Sequence, residues 1–410
     1  MRVAYLLPDP GIPVGGVKGA SVHVAEVCRA LVSAGASVRL LAMRAAAGAP
    51  PEVDLEVFDT GPLSSGIAGE PARRRAVEAF LAWAEDRVAA FEPDLVYERL
   101  SLFAGTGGAI AARLGVRRVV EVNAPVAAER ARRVGLARPD LAEAAERRAL
   151  AGATVLAVSA PMADWSLARG AASAEVVPNG VDSVRFDPER TAAAARVIRR
   201  DRGLEECEVV GFVGSMKPWH GVGTLLDAIA LLAPDRPRLR LLILGEGPGM
   251  AEIQVRASRA PLAGRCHLVG AVPSMLVPEY LAAVDVATAP YHHPGIDEGF
   301  YFSPLKVLEA MAAARPVVAS AFDSIDGLLG GTGVLVRPND PAALARALVE
   351  LLDDPESARA LGRAARERAA AVFGWDGVVR RILSAAAATP GAATPGTGPD
   401  ARDRVAAGSV

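Results

Sequence analysis

The chain has 410 residues, 51% of them hydrophobic and 22% charged. At roughly 100–200 residues per domain this suggests two domains, or three small ones, with a large core, and excludes disorder as a whole. Lys+Arg of 45 against Asp+Glu of 47 leaves a net charge of −2, and aromatic residues are only 5%, so both the basic excess and the stacking surface of a nucleic-acid platform are missing.

Short apolar runs alternate with longer helical patterns. Val3–Leu7 is predicted as a strand, followed by a loop carrying Gly11, Gly15, Gly16 and Gly19 and by a helix from about Ser21 to Ala34, stopped by Gly35. Strands are expected at Val38–Met43 and Leu55–Phe58, then a helix over Pro71–Phe91 with apolar residues at Val77, Phe80, Leu81, Ala84 and Val88. Asp94–Tyr97 and Arg118–Val122 flank a helix at Phe103–Leu114, and Thr154–Val158 closes the series. Nearly all-apolar strands separated by helices indicate a parallel sheet covered on both faces.

The turn-rich segment Pro178–Pro188 breaks this alternation and reads as a hinge. The alternation then restarts, with strands at Val209–Val213, Leu239–Leu244, Cys266–Val269, Val286–Ala289, Pro316–Ala319 and Gly333–Val336. Helices fit at Val222–Ala233, Ser274–Ala283, Pro304–Ala313, Pro341–Leu352 and Pro355–Val372. The expected α/β architecture is two Rossmann-like, doubly wound domains facing a central cleft: residues 1–180, then 181–372. A helix over 373–387 returns to the first domain, and a disordered, Ala/Thr/Pro/Gly-rich tail occupies 388–410. Ligands of such sheets bind at the carboxyl ends of the strands, so the cleft is the expected site.

Cys28, Cys207 and Cys266 are odd in number and widely spaced, which gives no disulfide framework or zinc ribbon and fits a reduced, cytoplasmic setting. The apolar run at Met1–Pro8 is too short for a signal peptide, and no stretch reaches the roughly 18 apolar residues of a membrane helix. No nucleic-acid partner and no stable membrane insertion are expected; oligomeric state is not encoded in any readable motif.

Several segments carry chemistry. Pro13-Val-Gly-Gly-Val-Lys-Gly-Ala-Ser21 lies between a strand and a helix, where bare glycines let backbone N–H groups approach an anion. A G-x-G-x-x-G is absent there; Gly245-Glu-Gly-Pro-Gly249 is a degenerate match elsewhere, and no G-K-[ST] or helically spaced histidine pair exists. The richest stretch is Asp297–Ser320. A loop runs into a helix beginning near Pro304, with Lys306 in its first turn and Glu309 beyond, so a formal charge joins the helix N-terminus at an anion site.

Together with Pro178-Asn-Gly-Val-Asp182 and Gly214-Ser-Met-Lys-Pro-Trp-His-Gly221, this stretch resembles the retaining glycosyltransferases of family 4, with the GT-B fold, from Met1 to about Ala386. The resemblance implies a nucleotide-diphosphate sugar, UDP- or dTDP-linked, as co-substrate on the C-terminal domain and the acceptor on the N-terminal one, without metal or other cofactor. Glu309 matches the second Glu of the family's E-x7-E, which holds the ribose. Tyr301 stands where the first Glu is expected near the donor sugar, with Glu298 three residues upstream as its alternative. Phe302-Ser-Pro-Leu-Lys306 looks like a subgroup variant in which groups around Phe302, Ser303 and Leu305 face sugar and phosphates. In the family's G-R-x-x-x-x-K-G, Ser215 replaces the Arg and His220 the Lys, after Gly214, leaving Lys217 and Lys306 as substitute cations. Gly16 joins the diphosphate side. Asn123 falls where many members carry a sugar-contacting His, and Lys18, Glu98, Arg99 and Glu121 are acceptor-side candidates, with an ion pair between Glu98 and Arg99 as the structural alternative. Trp219, beside His220, is expected to line the site, and Trp83 and Trp165 to serve packing.

The activity so implied is transfer of a sugar to an acceptor hydroxyl with retention, the departing phosphate helping to deprotonate the acceptor. The Ala/Arg-rich composition suggests a high-GC bacterium and a secondary-metabolite or surface-glycan pathway. A nucleotide-sugar 2-epimerase on the same architecture, or a non-catalytic sugar-nucleotide binder, are the competing readings.

Overall fold

The computed structural model describes residues 1–389 except 65, 106 and 296–298; Glu298 and the tail beyond Thr389 therefore lie outside the described residues. The first sheet has seven strands: β1 Arg2–Leu7, β2 Ser37–Ala42, β3 Asp54–Val57, β4 Leu95–Arg99, β5 Arg117–Val122, β6 Thr154–Ala157 and β7 Ser173–Val176. The second has six: β8 Glu208–Val213, β9 Leu239–Leu244, β10 Cys266–Gly270, β11 Val286–Ala289, β12 Val317–Ser320 and β13 Val334–Val336. All pairings are parallel, in the orders β3-β2-β1-β4-β5-β6-β7 and β10-β9-β8-β11-β12-β13. The order reverses between β1 and β4 and between β8 and β11. The loops leaving neighbouring strands diverge there and open a crevice at the carboxyl ends.

Central strands are buried along nearly their whole length: Val3–Leu7 and Leu95–Arg99 lie inside between helical layers. The edge strand β7 was not anticipated. Its sequence, Ser-Ala-Glu-Val, has no apolar run, because only one neighbour, β6, needs to be satisfied and its faces are largely exposed.

The helix Trp375–Ala388 buries Trp375, Val378, Val379, Ile382, Ala385 and Ala386, at the three-to-four-residue spacing of one face. These residues join Val3, Tyr5, Val24, Val27 and Leu31 in one core, so the last helix belongs to the first domain. The chain thus crosses between domains twice. The crossings run side by side: Val181 N–H donates to Phe373 O at 2.7 Å, and Val181 bridges in parallel to Gly374.

Candidate active site

The cleft is lined by the loops after β1, β5, β8 and β11. On the C-terminal side, Lys306 sits in the first turn of the helix Leu305–Ala312, which Pro304 caps. Its Nζ lies 4.0 Å from the Phe212 ring centroid and 4.7 Å from that of Tyr291, and it has no hydrogen-bond partner among the described residues. Burial lowers its pKa to about 7, with Glu309 opposing and Lys217 adding to the drop. Gly214, directly after β8, has φ +144°, and a Cβ there would stand 2.7 Å from Lys306 Nζ. A side chain would fill the space into which the ammonium points, so the glycine keeps it open.

The loop after β8 continues through Ser215 and Lys217 to His220. His220 Nδ1 lies 2.6 Å from Ser215 O, so Nδ1 carries the proton. Burial, then Lys306 and Lys217, drive His220 down to about 2, which makes it a neutral ring beside two lysines. Lys217 Nζ lies 5.2 Å over Trp219; burial, with Arg133 and Lys18 adding, lowers it to about 8. Trp219 lines the cleft, where Arg133 of the N-terminal domain stacks on it from across, with its guanidinium 4.1 Å from the ring centre. Arg132 Nε donates to Gly295 O at 3.2 Å beside this contact.

Glu309 lies one turn along from Lys306. Burial raises its carboxyl to about 7, against the pull of Arg185 and Lys306. Arg185, from the hinge, pairs with Glu26 of the Gly19–Ser33 helix at 3.1 Å. The Gly245–Gly249 run serves no dinucleotide. A Cβ on Gly245, Gly247 or Gly249 would meet the backbone of Gly214 or Met216 within 2.8 Å, and Met216 N–H donates to Glu246 O while Gly249 N–H donates to Met216 O. These glycines let the loop after β9 buttress the loop after β8.

On the N-terminal side the glycine loop delivers the helix Gly19–Ser33 to the cleft. Its start faces the start of the Leu305–Ala312 helix: a Cβ on Gly19 would lie 3.6 Å from Leu305 Cδ1. Two helix N-termini converge on one space, where both dipoles favour an anion. Gly16 lies at this turn, Lys18 is exposed beside it, and Ser21 Oγ is buried without a partner among the described residues.

Some predicted site residues fall elsewhere. Glu98 is fully buried and bonded to Arg118 at 2.7 and 3.0 Å, not to Arg99 and not to the cleft. Strand alternation sends Glu98 and Arg99 to opposite faces of β4, which rules out their ion pair. Arg99 instead pairs with Glu121 at 2.5 Å. Glu121 is only 3% exposed, and so neither it nor Arg99 presents a free charge to an acceptor. Tyr301, expected at the donor sugar, is 0% exposed and packs into the N-terminal core with Leu100, Val122, Met162 and Trp165. Its carbonyl accepts from Ser159 Oγ at 2.8 Å. Two residues on, Ser303 is held by Asn179, whose N–H donates to Ser303 Oγ at 2.9 Å and whose side-chain amide donates to Ser303 O. The loop before the Lys306 helix is therefore fastened to the opposite domain. Phe302 remains half-buried at the seam, touching both cores. What the sequence reading missed is this seam: Ser159 carried no signal beyond being a polar residue at a turn, and Asn179, though part of the Pro178–Asp182 motif, gave no sign that its partner is Ser303.

The comparisons with known proteins agree with this geometry. The profile described as "Glycosyltransferase Family 4" matches residues 17–185, and that described as "Glycosyl transferases group 1" matches 207–354. D-inositol 3-phosphate glycosyltransferase of Kineococcus radiotolerans is 30% identical, over 93% of this chain and 94% of its own length. The chain belongs to glycosyltransferase family 4. A second relative, 2-deoxystreptamine glucosyltransferase of Streptomyces kanamyceticus, is 31% identical over 49% of this chain and 50% of its own. Among solved structures, sucrose-phosphate synthase from Thermosynechococcus elongatus superposes with a TM-score of 0.73 at 22% identity, covering 94% of this chain and 98% of the other. Anabaena Alr3699/HepE in complex with UDP and glucose gives 0.71 at 20%, covering 95% and 100%. These likenesses show the GT-B fold. The protein is a glycosyltransferase; among the described residues no helix is long and apolar enough to cross a membrane, and no group of three or more His, Cys, Asp or Glu side chains could hold a metal.

Proposed function

We propose that this family 4 member transfers a sugar from a nucleotide-diphosphate donor, UDP- or dTDP-linked, to a hydroxyl of a polar cyclitol or sugar acceptor, with retention of configuration. The observation that carries this reading is the sealed ammonium of Lys306, unpartnered among the described residues and aimed at the space beside Gly214 between two helix N-termini. A buried cation without a counter-ion is costly unless an anion arrives. A diphosphate fits, and its charge grows as the glycosidic bond breaks, so fixed cations stabilise the transition state more than the ground state.

The residues divide the work. Lys306 and Lys217 neutralise the leaving diphosphate in place of the family's Arg and Lys. Backbone N–H groups of Leu305 and of the turn at Gly16 supply further donors. His220, neutral, shapes the pocket without adding repulsion. Glu309 binds the ribose hydroxyls. The leaving phosphate oxygen takes the acceptor hydroxyl's proton as the C–O bond to phosphate breaks and the new C–O bond forms on the same face. No carboxylate base is then required, which suits a site at whose back the buried Glu121 is already committed to Arg99. The proposed acceptor class rests on the two relatives' names, which state inositol phosphate and 2-deoxystreptamine; a cytoplasmic, bacterial biosynthetic setting is part of the same proposal.

The test is donor turnover over a panel of UDP-, dTDP- and GDP-sugars. Slow release of free sugar, accelerated by a cyclitol acceptor and with retained anomeric configuration by NMR, supports the proposal. Interconverted sugar nucleotide would instead reveal an epimerase. Tight donor binding with no turnover under any acceptor would mark a non-catalytic binder.

A further inference from the structure

At the end of β5, Glu121 is surrounded, among the described residues, by donors alone. Its Oε2 accepts from Tyr97 Oη at 2.8 Å and Tyr5 Oη at 3.1 Å. Its Oε1 accepts from Arg99 Nη1 at 2.5 Å and from Asn123 Nδ2. His23 Nε2 lies 2.8 Å from the same oxygen, its ring braced edge-on by Trp375. Burial would raise the carboxyl pKa, but His23, Arg99 and the bonds from His23 and Asn123 overcome it and hold the group well below the ordinary carboxylate range. Glu121 is therefore an obligatory acceptor.

That fixes the sense of the Asn123 amide by chemistry. A flipped amide would set its carbonyl oxygen against Glu121 Oε1, acceptor to acceptor. With Nδ2 turned inward, Oδ1 turns away from the carboxylate, and among the described residues no donor reaches it. Asn123 is half-buried. Its neighbours Val122, Ala124 and Val126 pack about Tyr301 and Phe302, so the amide stands at the rim where the two domains meet.

We propose that Glu121 is a positioning residue that pins the Asn123 amide with its carbonyl oxygen toward the cleft, and that Asn123 thereby selects a substrate hydroxyl as a hydrogen-bond donor. This rests on the glycosyl-transfer reading for the identity of the substrate, but not for the pinning. The Tyr5, Tyr97, Arg99 and His23 shell has a purpose in this account: it keeps Glu121 charged and immobile, so that a non-titrating side chain acquires a single polarity. The same shell explains why two charged residues named as acceptor contacts, Arg99 and Glu121, act from behind the surface rather than on it.

Two measurements test this. In protein labelled with ¹⁵N-asparagine, with Asn123→Ala used to assign the signals, one Asn123 amide proton should resonate downfield and exchange slowly with water; solvent-like shifts and exchange would overturn the pinning. In donor turnover with UDP-glucose and its monodeoxy analogues, one deoxy position should cost the native enzyme about tenfold in kcat/KM and cost Asn123→Ala almost nothing further, while Asn123→Asp, with two acceptors facing, loses both Glu121 contact and turnover. Equal deoxy penalties in native enzyme and Asn123→Ala overturn the selection. If no nucleotide sugar is turned over at all, the glycosyl-transfer reading and the hydroxyl selection fall together, and a slow-exchanging amide still upholds the positioning role of Glu121.

Discussion

Lys306 gives the donor site a proton-linked signature. In the free protein its pKa is about 7 and that of Lys217 about 8, both lowered chiefly by burial. At pH 8, Lys306 is then about one-tenth protonated and Lys217 about half. A bound diphosphate favours both charged forms. Binding at pH 8 should therefore take up close to one proton at Lys306 and about half a proton at Lys217. At pH 6 both lysines already hold their protons. Glu309, raised to about 7 by burial, is then mostly neutral, and ribose hydroxyls favour its ionised form, so binding should release a proton instead. The assay is calorimetric titration with UDP and with dTDP in buffers of different ionisation enthalpy. The slope against that enthalpy reads the protons moved. Uptake at pH 8, reversing to release at pH 6, is the expected result, and Lys306→Met should remove about two-thirds of the pH 8 uptake. An unchanged slope in Lys306→Met, or no uptake at pH 8 in the native protein, would refute the assignment of Lys306 to the diphosphate.

Lys306→Met should also stabilise the free protein. Burial holds the folded pKa below the ordinary lysine value of 10.5, so the burial penalty is present in full below pH 7 and fades as pH rises toward 10.5; thermal melts should show the gain shrinking with pH, under a ceiling of about 5 kcal/mol. Gly214→Ala places a Cβ 2.7 Å from Lys306 Nζ at φ +144°; denaturant melts should show a loss of about 1–3 kcal/mol and UDP titration a weakening of about tenfold or more. Tyr301→Ala empties a socket in the N-terminal core and should cost about 3–5 kcal/mol in urea unfolding. Glu98→Gln leaves Arg118 buried with its charge uncompensated; it should cost a similar amount while kcat/KM of the folded enzyme stays unchanged, which separates Glu98 from the site.

The architecture was legible because its signals are local. Alternating apolar runs and helical stretches name the strands of a covered parallel sheet, and all six strands of the second sheet fall within a residue or two of their expected places. β7 escaped because an edge strand with exposed faces needs no apolar run. The site was legible where a motif fixes backbone geometry: Gly214, Lys306 and Glu309 are held by a strand end and a helix start, and the structure brings them together. It was illegible where pairing is set by strand register. Nothing in Glu98-Arg99 says that one side chain faces Arg118 and its neighbour faces Glu121; that follows from the pleat and from which strand lies alongside. Tyr301 misled for a related reason. Its place in the motif pointed to the sugar, but a large ring beside a hydrophobic seam gains more from the N-terminal core than from the cleft.

The return of the last helix to the first domain has a consequence for how the protein is made. The first sheet closes at Val176, yet the core it shares with the Gly19–Ser33 helix is completed only once Trp375–Ala386 have been synthesised. At translation rates of roughly 5–20 residues per second, the intervening stretch of about 200 residues takes about 10–40 s. During that interval the second domain, contiguous in sequence, can fold and dock through its own strands, while the first waits with an apolar groove open. The nascent chain is thus exposed to aggregation or chaperone capture at its N-terminal half rather than at the half still emerging, and a chain truncated before Trp375 would keep that groove for its whole lifetime.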